Sequence, residues 1–367
     1  MPIDAAFWRG RRVLVTGCTG FKGSWLCAWL SRLGARVAGC GLDPATAPAL
    51  FELAGIDGLI ERLPGDVRDA EALHTTVALA APEVVFHLAA QPLVLESLRD
   101  PLRTFATNVM GTAHLLEAVR RVPGVRAVVV VTSDKCYRDT AEPCAEDDAL
   151  GGHDPYSASK ACAEIATAAW RHSFLAGGNG IGVATARAGN VVGGGDFSAD
   201  RLIPDLVRAA QAGRPLVLRH PTAIRPWQHV LDALAGYLLL AQALHARPHA
   251  FATSWNFGPP DAASWTVERV AATAIRHLGY GSWRSEEQPF RHETATLRLD
   301  ASRARSRLGW RPRLDMERTI AWTMHGYREL LAGRGRAWLD RQIDDYGNEE
   351  SITMPLPVVN QAELVHV

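Results

Sequence analysis

The feature that most narrows the fold lies near the N-terminus. There the apolar run Val13-Leu14-Val15-Thr16 stops at Gly17, glycines recur at 20 and 23, and a helical stretch begins at Phe21 and ends at Gly34. A buried strand feeding a glycine loop and then a helix aims backbone N–H groups, and the positive end of the helix dipole, at an anion. The spacing Gly17-x-x-Gly20-x-x-Gly23 differs from G-x-G-x-x-G, and a glycine triplet alone is a weak signal. The preceding strand strengthens it, as does an acidic residue, Asp43, twenty positions after Gly23. Together they predict a dinucleotide pyrophosphate site on a parallel sheet.

The following segments repeat the alternation. RVAGCGL reads as a second strand, LHTTVALAA as a helix, EVVFHLAA as a strand, Asn108–Arg121 as a helix and VRAVVVVTS as a strand. A helix over Tyr156–Phe174 and the strand IGVATARAGN complete the series. The expected fold class is therefore α/β, a doubly wound, Rossmann-like parallel sheet covered on both faces. Beyond residue 190 the rhythm gives way to Gly- and Pro-rich loops and shorter helices, which predict a smaller, interleaved C-terminal substrate domain. We expect residues 1–190 to form the NAD-binding unit and 191–345 mainly the substrate unit, with SWNFGP (Ser254–Pro259) returning a strand to the main sheet. From Tyr346 to residue 367 no periodicity is visible, and no role is assigned.

Composition excludes several classes. Among 367 residues, 39 Lys+Arg balance 39 Asp+Glu, so no basic face for nucleic acid is expected. Leu238–Leu244 is far short of the roughly 20 apolar residues that cross a bilayer, and the N-terminal run lacks the apolar core of a secretory signal. No membrane association is expected. The six cysteines form no C-x-x-C pair, which reads as reduced thiols in the cytoplasm. His245 and His249 sit four apart without an acidic third ligand, so no metal is expected.

Of the 39 basic residues only three are lysine: Lys22, Lys135 and Lys160. A chain that uses arginine almost everywhere keeps lysine where a compact, titratable ammonium is wanted. All three fall inside motifs. Lys22 lies in the glycine loop with Gly17, Thr19, Gly20, Phe21 and Gly23. Asp43 is expected to accept hydrogen bonds from the adenosine ribose, and no arginine follows it closely to hold a 2′-phosphate, so NAD is favoured over NADP. Asp66 and Val67 in GDVRD, and Leu88, Ala89, Ala90 and Gln91 in FHLAAQ, end strands on the same sheet edge and are expected to line the nucleotide crevice.

Tyr156 and Lys160 stand four apart at the start of a helix and share one face. An ammonium there is expected to lower the phenol pKa and make Tyr156 a usable base. At the end of the preceding strand stands Thr132-Ser133-Asp134-Lys135. A hydroxyl at this place suits any sugar oxidation. The acid and the lysine are extra: removing water from a sugar needs a proton donor for the leaving hydroxyl and a base for the neighbouring C–H.

Together TGCTGFKGSWL, FHLAAQPLV, TNVMGT, TSDKCY, YSASKA, ARAGNVVGGGDF, DRLIPD, AIRPWQHV and WNFGP resemble the extended short-chain dehydrogenase/reductase (NAD-dependent epimerase/dehydratase) family, over about Val13 to Trp310. The resemblance is to its nucleotide-sugar dehydratases, with CDP-glucose the expected substrate, and TSDKCY discriminates best. It implies that Thr132 and Ser133 bind the sugar 4-oxygen region, that Tyr156 is the base, and that Lys160 holds the nicotinamide ribose. It further implies that Asn108 supports the helix beneath. Gln91, Asn190, Arg201, Leu202 and Arg225 would meet the nucleotide sugar, with Arg219 and Arg298 as further candidates. Asp134 would be the acid and Lys135 the C5 base, a role that calls for a lowered lysine pKa. The alternatives are a nucleotide-sugar epimerase, which would not need the Asp134-Lys135 pair, and a non-catalytic nucleotide sensor. A homodimer is expected through Asn108–Arg121 and Tyr156–Phe174, with Ala161, Ile165, Ala168 and Ala169 as its packing surface.

Overall fold

Strand β5 (Ala127–Val131) is buried along its whole length, which only a sheet covered on both faces allows. The computed structural model of the chain describes residues 2–138, 142–175, 180–259, 265–286 and 297–348. Its centre is a seven-stranded sheet of β1 (Arg12–Thr16), β2 (Arg36–Cys40), β3 (Glu61–Leu63), β4 (Val84–His87), β5, β6 (Gly182–Ala188) and β7 (Ser254–Phe257). The spatial order is β7-β6-β5-β4-β1-β2-β3, and every pairing is parallel. The chain reverses its winding between β1 and β4, so a crevice opens at the carboxyl ends of these strands. Strand β3 is not legible beforehand, because Glu61-Arg62-Leu63 is short, charged and at the sheet edge.

Alternation along β1 divides the core: Val13 and Val15 join one buried cluster and Leu14 the other. Helices α1 (Phe21–Arg32) and α6 (Val230–Ala246) cover the first face, α2 (Ala70–Ala80) and α3 (Gly111–Arg121) the second. Helix α6 is buried without interruption from Val230 to Leu244 and is apolar on every side apart from Asp232 and Gln242. No helix among the described residues is long and apolar enough to cross a membrane.

A separate cluster joins α5 (Leu202–Gln211), α7 (Val267–Leu278) and α8 (Met316–Leu331) through Leu206, Val270, Ala274 and Met324. The stretch from Tyr346 needs correction. Helix α9 runs Gly335–Gly347, and Tyr346 is buried in it, donating its hydroxyl hydrogen bond to Asp232 Oδ1 at 2.8 Å. Residues 349–367 of the expected tail lie outside the described residues.

Candidate active site

The glycine loop is a cradle closed to side chains. Gly17 has φ +72°, and a Cβ there would lie 2.7 Å from the Ala89 nitrogen; at Gly23 a Cβ would lie 2.0 Å from the Gly17 carbonyl oxygen. Gly20 is the N-cap of α1 and has no side chain to satisfy its first turn, so those N–H groups face the crevice. Thr19 Oγ1 donates to the Leu42 carbonyl at 2.8 Å and fastens the loop to the end of β2. This set fits a dinucleotide pyrophosphate. Asp43 is fully exposed beyond β2, 3.5 Å from Arg62, an arginine that the fold brings from β3 and that proximity in sequence does not disclose.

Other crevice residues serve in ways the sequence reading did not foresee. Asp66 is occupied by Arg68, whose guanidinium lies at 2.5–3.0 Å and holds the carboxyl below the usual carboxylate range. Val67 is buried against Gly111, where a Cβ would come within 2.7 Å. The Gln91 amide is folded back onto its own turn, donating to Leu93 O at 3.0 Å and Thr104 Oγ1 at 2.9 Å and accepting from Leu93 N. Asn108 clamps that turn, accepting from Gln91 N at 2.8 Å and donating to Gln91 O and to Ser159 Oγ. Leu88 and Ala90 line the cavity, while the described geometry puts Ala89 against Gly17.

Helix α4 (Pro155–Trp170) carries the reactive stripe. Asp154 caps it through Ser157 N at 3.0 Å, Pro155 opens it, and Tyr156, Lys160 and Glu164 follow at intervals of four along one face. That face meets the end of β5. Lys160 Nζ donates to Val131 O at 3.2 Å, and burial pulls its pKa down to about 8. Burial pushes the Tyr156 phenol up to about 12 against the lowering pull of the Ser133 hydroxyl beside it, the reverse of the expected lowering by Lys160.

Thr132 also differs from expectation. Its hydroxyl donates to the buried Glu164, which is further held by Thr185 Oγ1 at 2.6 Å and Arg187 at 2.8 Å. The hydroxyl beside Tyr156 is that of Ser133, which also donates to Asp134 Oδ1 at 2.8 Å. Lys135 Nζ lies 3.6 Å from the same oxygen. Asp134 Oδ2 is buried without a hydrogen-bond partner among the described residues.

A cavity of about 390 Å³ joins these groups to the C-terminal half. Its lining includes Phe21, Lys22, Ser133, Asp134, Lys135, Tyr156 and Lys160 on one side and Asn190, Arg201, Leu202, Arg219 and Arg225 on the other. Burial lowers the Lys22 pKa to about 7, with Lys160 and Arg201 adding repulsion. Arg201 precedes α5 and pairs with Asp196 at 3.1 Å, a cavity residue that sequence reasoning missed although it stands in the quoted GGGDF run. Asn190 Oδ1 is buried and unpartnered among the described residues. Arg298 is not among the residues lining this cavity, although its neighbour Leu297 is; its Nε is buried and unpartnered among the described residues, beside the backbone pairing of Cys144 with Leu299. Among the described residues no group of three His, Cys, Asp or Glu could hold a metal ion.

The sheet order, the glycine cradle and the Tyr156–Lys160 stripe define an extended short-chain dehydrogenase/reductase. The sequence profile of the GDP-mannose 4,6 dehydratase family matches residues 14–323, and the chain belongs to that family. It is 45% identical over 352 residues to the CDP-glucose 4,6-dehydratase of Salmonella typhimurium, covering 94% of this chain and 98% of that one. A UDP-glucose 4-epimerase of Mycolicibacterium smegmatis is 29% identical, covering 86% of this chain and 98% of that protein. Among solved structures, MoeE5 in complex with UDP-glucose and NAD is 26% identical with TM-score 0.73, covering 87% of this chain and 99% of its own.

Proposed function

We propose that this protein is a CDP-D-glucose 4,6-dehydratase that holds NAD and releases CDP-4-dehydro-6-deoxy-D-glucose. The observation that carries the reading is the Asp134–Lys135 pair beside Ser133 and Tyr156 in one cavity, in a chain 45% identical to a protein of that activity. An epimerase needs the tyrosine but neither member of the pair.

When bound, the dinucleotide supplies the acceptor that takes hydride from C4 and returns it at C6. The Gly17–Gly23 cradle would hold its pyrophosphate, Asp43 its adenosine ribose and Lys160 its nicotinamide ribose. Ser133 would orient the 4-hydroxyl while Tyr156 takes its proton; a phenol pushed up to about 12 is a strong base once ionised. The 4-ketone acidifies C5–H. Lys135 would then remove the C5 proton as Asp134 Oδ2 protonates the departing 6-hydroxyl, so water is lost across C5–C6. Arg201, Arg219, Arg225 and Asn190 are positioned to grip the nucleotide diphosphate, for which forked guanidinium donors are suited. These roles divide the chain into a dinucleotide unit of residues 1–190, to which β7 returns and on which α6 packs, and a mainly nucleotide-sugar unit from the rest of 191–345.

The test is a panel of CDP-, dTDP-, GDP- and UDP-glucose run in D₂O. The expected product is a 4-keto-6-deoxy sugar from CDP-glucose, with deuterium at C5. A 4-keto-6-deoxy product without C5 deuterium overturns the mechanism, and no such product from any of the four overturns the function.

We infer a homodimer and a cytoplasmic site of action. Leu98, Leu102, Phe105 and Met110, with Ile165 and Phe174, are large apolar side chains exposed on the segments before α3, on α4 and on the turn that follows it, a face suited to a second copy. Ala161 is corrected as part of that face: it packs inward with Cys136 and Leu299. Light scattering at micromolar concentration should give twice the chain mass for the native protein and a smaller mass for Leu102→Asp. All six cysteines are free thiols, in keeping with a reducing compartment.

A further inference from the structure

We propose that Trp338, on the terminal helix α9, is a positioning residue that locks the dinucleotide helix α1 to the turn at 193–196 and so holds Arg201 at the nucleotide sugar. This rests on the reading of Arg201 above and gives a task to a helix that the reading does not use. Helix α9 lies beyond residues 14–323, the span that the family profile matches.

Helix α1, helix α8 and the turn meet on one indole. Trp338 is 2% exposed, and its ring stands edge-on to Trp25 of α1 with centroids 5.2 Å apart. It also fills the space over two glycines: a Cβ at Gly194 would lie 2.7 Å from Trp338 Cη2, and one at Gly326 of α8 would lie 2.4 Å from Cζ2. Trp25 Nε1 donates to Gly194 O at 3.1 Å, which closes the triangle. Trp338 Nε1 itself has no hydrogen-bond partner among the described residues, so the indole acts by shape.

The turn leads straight into the cavity. Just past Gly194, Asp196 pairs with Arg201 at 3.1 Å, and its carbonyl accepts from the hydroxyl of Tyr327, the chain neighbour of Gly326. Both lines from Trp338, through Gly194 and through Gly326, therefore end on Asp196. Helix α9 is fixed to α1 a second time at its far end, where Arg32 grips Asp344 at 2.5–2.9 Å and Trp29 meets Tyr346 edge-on at 5.5 Å. A close-packed interior transmits displacement, so a shift of the indole moves the turn. The reaction asks for such a link. Hydride leaves C4 and returns at C6 of one bound sugar, which requires the diphosphate grip and the pyrophosphate cradle to keep their separation through the cycle.

Four full-length proteins test this: the native chain, Trp338→Ala, Trp338→Phe and Tyr346→Phe. Each is followed by thermal melting, by calorimetric titration with CDP, by its dinucleotide content on purification, and by KM and kcat for CDP-glucose. Trp338→Ala should weaken CDP binding and raise KM by about 10-fold, the scale of a displaced grip, while dinucleotide content stays native because the glycine cradle is local to 17–23. Trp338→Phe keeps a ring beside Trp25 but withdraws the edge that touches both glycines, so it should show a smaller rise of about 3-fold, measurable even where the Ala variant does not fold. Tyr346→Phe removes a buried hydrogen bond at the far end of the same helix; it should lower the melting temperature with KM and CDP affinity unchanged. A KM that rises in all three variants in step with the fall in melting temperature makes α9 a general brace and overturns the proposal. Native KM and CDP affinity in the folded Trp338 variants overturn it as well. A native chain that neither binds CDP nor converts CDP-glucose overturns the reading of Arg201, and this proposal with it.

Discussion

Two carboxylates flank the end of β5 at nearly equal depth, and they do opposite things. Glu164, 4% exposed, lies beneath the strand end with each oxygen engaged by Thr132, Thr185 or Arg187. Asp134, 1% exposed, lies above it with one oxygen shared by Ser133 and Lys135 and the other unpartnered among the described residues. Burial alone therefore does not mark the reacting group. A satisfied buried carboxylate fixes a scaffold, whereas one left with free acceptor or donor capacity toward a cavity is available to a substrate.

The comparison is broken most directly by exchanging each carboxylate for its amide. Asp134→Asn cannot deliver the proton that releases the 6-hydroxyl, so turnover should fall about 10²- to 10⁴-fold while the melting curve stays close to native. C4 oxidation should persist in this variant, and reduced-nicotinamide absorbance should build up on adding CDP-glucose. Equal loss of oxidation and of water release would remove Asp134 from the elimination step. Glu164→Gln should invert the pattern. It leaves the Arg187 guanidinium buried without its countercharge, at a cost of about 3 kcal/mol in urea unfolding, with turnover affected less, through the position of Ser133 and the loss of a charge that raises the Lys160 pKa. An unchanged unfolding midpoint would show that the pair beneath the strand is dispensable.

That contrast also explains what the sequence could disclose. The sheet, the glycine cradle and the α4 stripe are legible because each is local: alternation, spacing and an i,i+4 pair carry them. The Ser133-Asp134-Lys135 run is legible because lysine is so scarce. The partner of Thr132 is not, since which of two adjacent hydroxyls faces the cavity depends on the twist at the end of β5. Glu164 has a signal, one further helical turn along from Tyr156 and Lys160, but nothing in it announces a buried charge. Gln91 has the residue type of a ligand, and its amide is engaged by its own turn. Arg62 is invisible for a different reason: β3 is too short to be called, so the register that lays it beside Asp43 cannot be drawn.

On the far side of the cavity Arg225 offers a milder test of the same rule. It lines the cavity and would meet a diphosphate that is present equally before and during the reaction. Arg225→Ala should therefore raise KM by roughly 30-fold, about 2 kcal/mol, with kcat nearly unchanged. A collapsed kcat at constant KM would move Arg225 into the chemistry.

Lys22 sharpens the comparison from the cationic side and with the smallest effect. Like Asp134 it faces the cavity, but unlike Asp134 it has no ion pair among the described residues, its ammonium 5.9 Å from the centre of the Tyr237 ring. Burial lowers its pKa from 10.5 to about 7. Between those values the unfolded chain binds a proton that the folded chain does not, so this group makes stability rise with pH through that window, and its penalty is fully present below about 7. Lys160, lowered to about 8, acts in the same direction, while the raised thiol and phenol pKa values oppose it only above about 9. Lys22→Met should therefore stabilise the protein at pH 6.5 by on the order of 1 to 2 kcal/mol, discounted for water in the cavity, and the gain should shrink by pH 9. The same variant should bind NAD more weakly, because a cation beside the pyrophosphate cradle is lost. Melting curves at the two pH values and an NAD titration decide it: equal stability of variant and native protein at both would show that Lys22 carries no strain from burial, and unchanged NAD affinity would show that its charge serves no ligand.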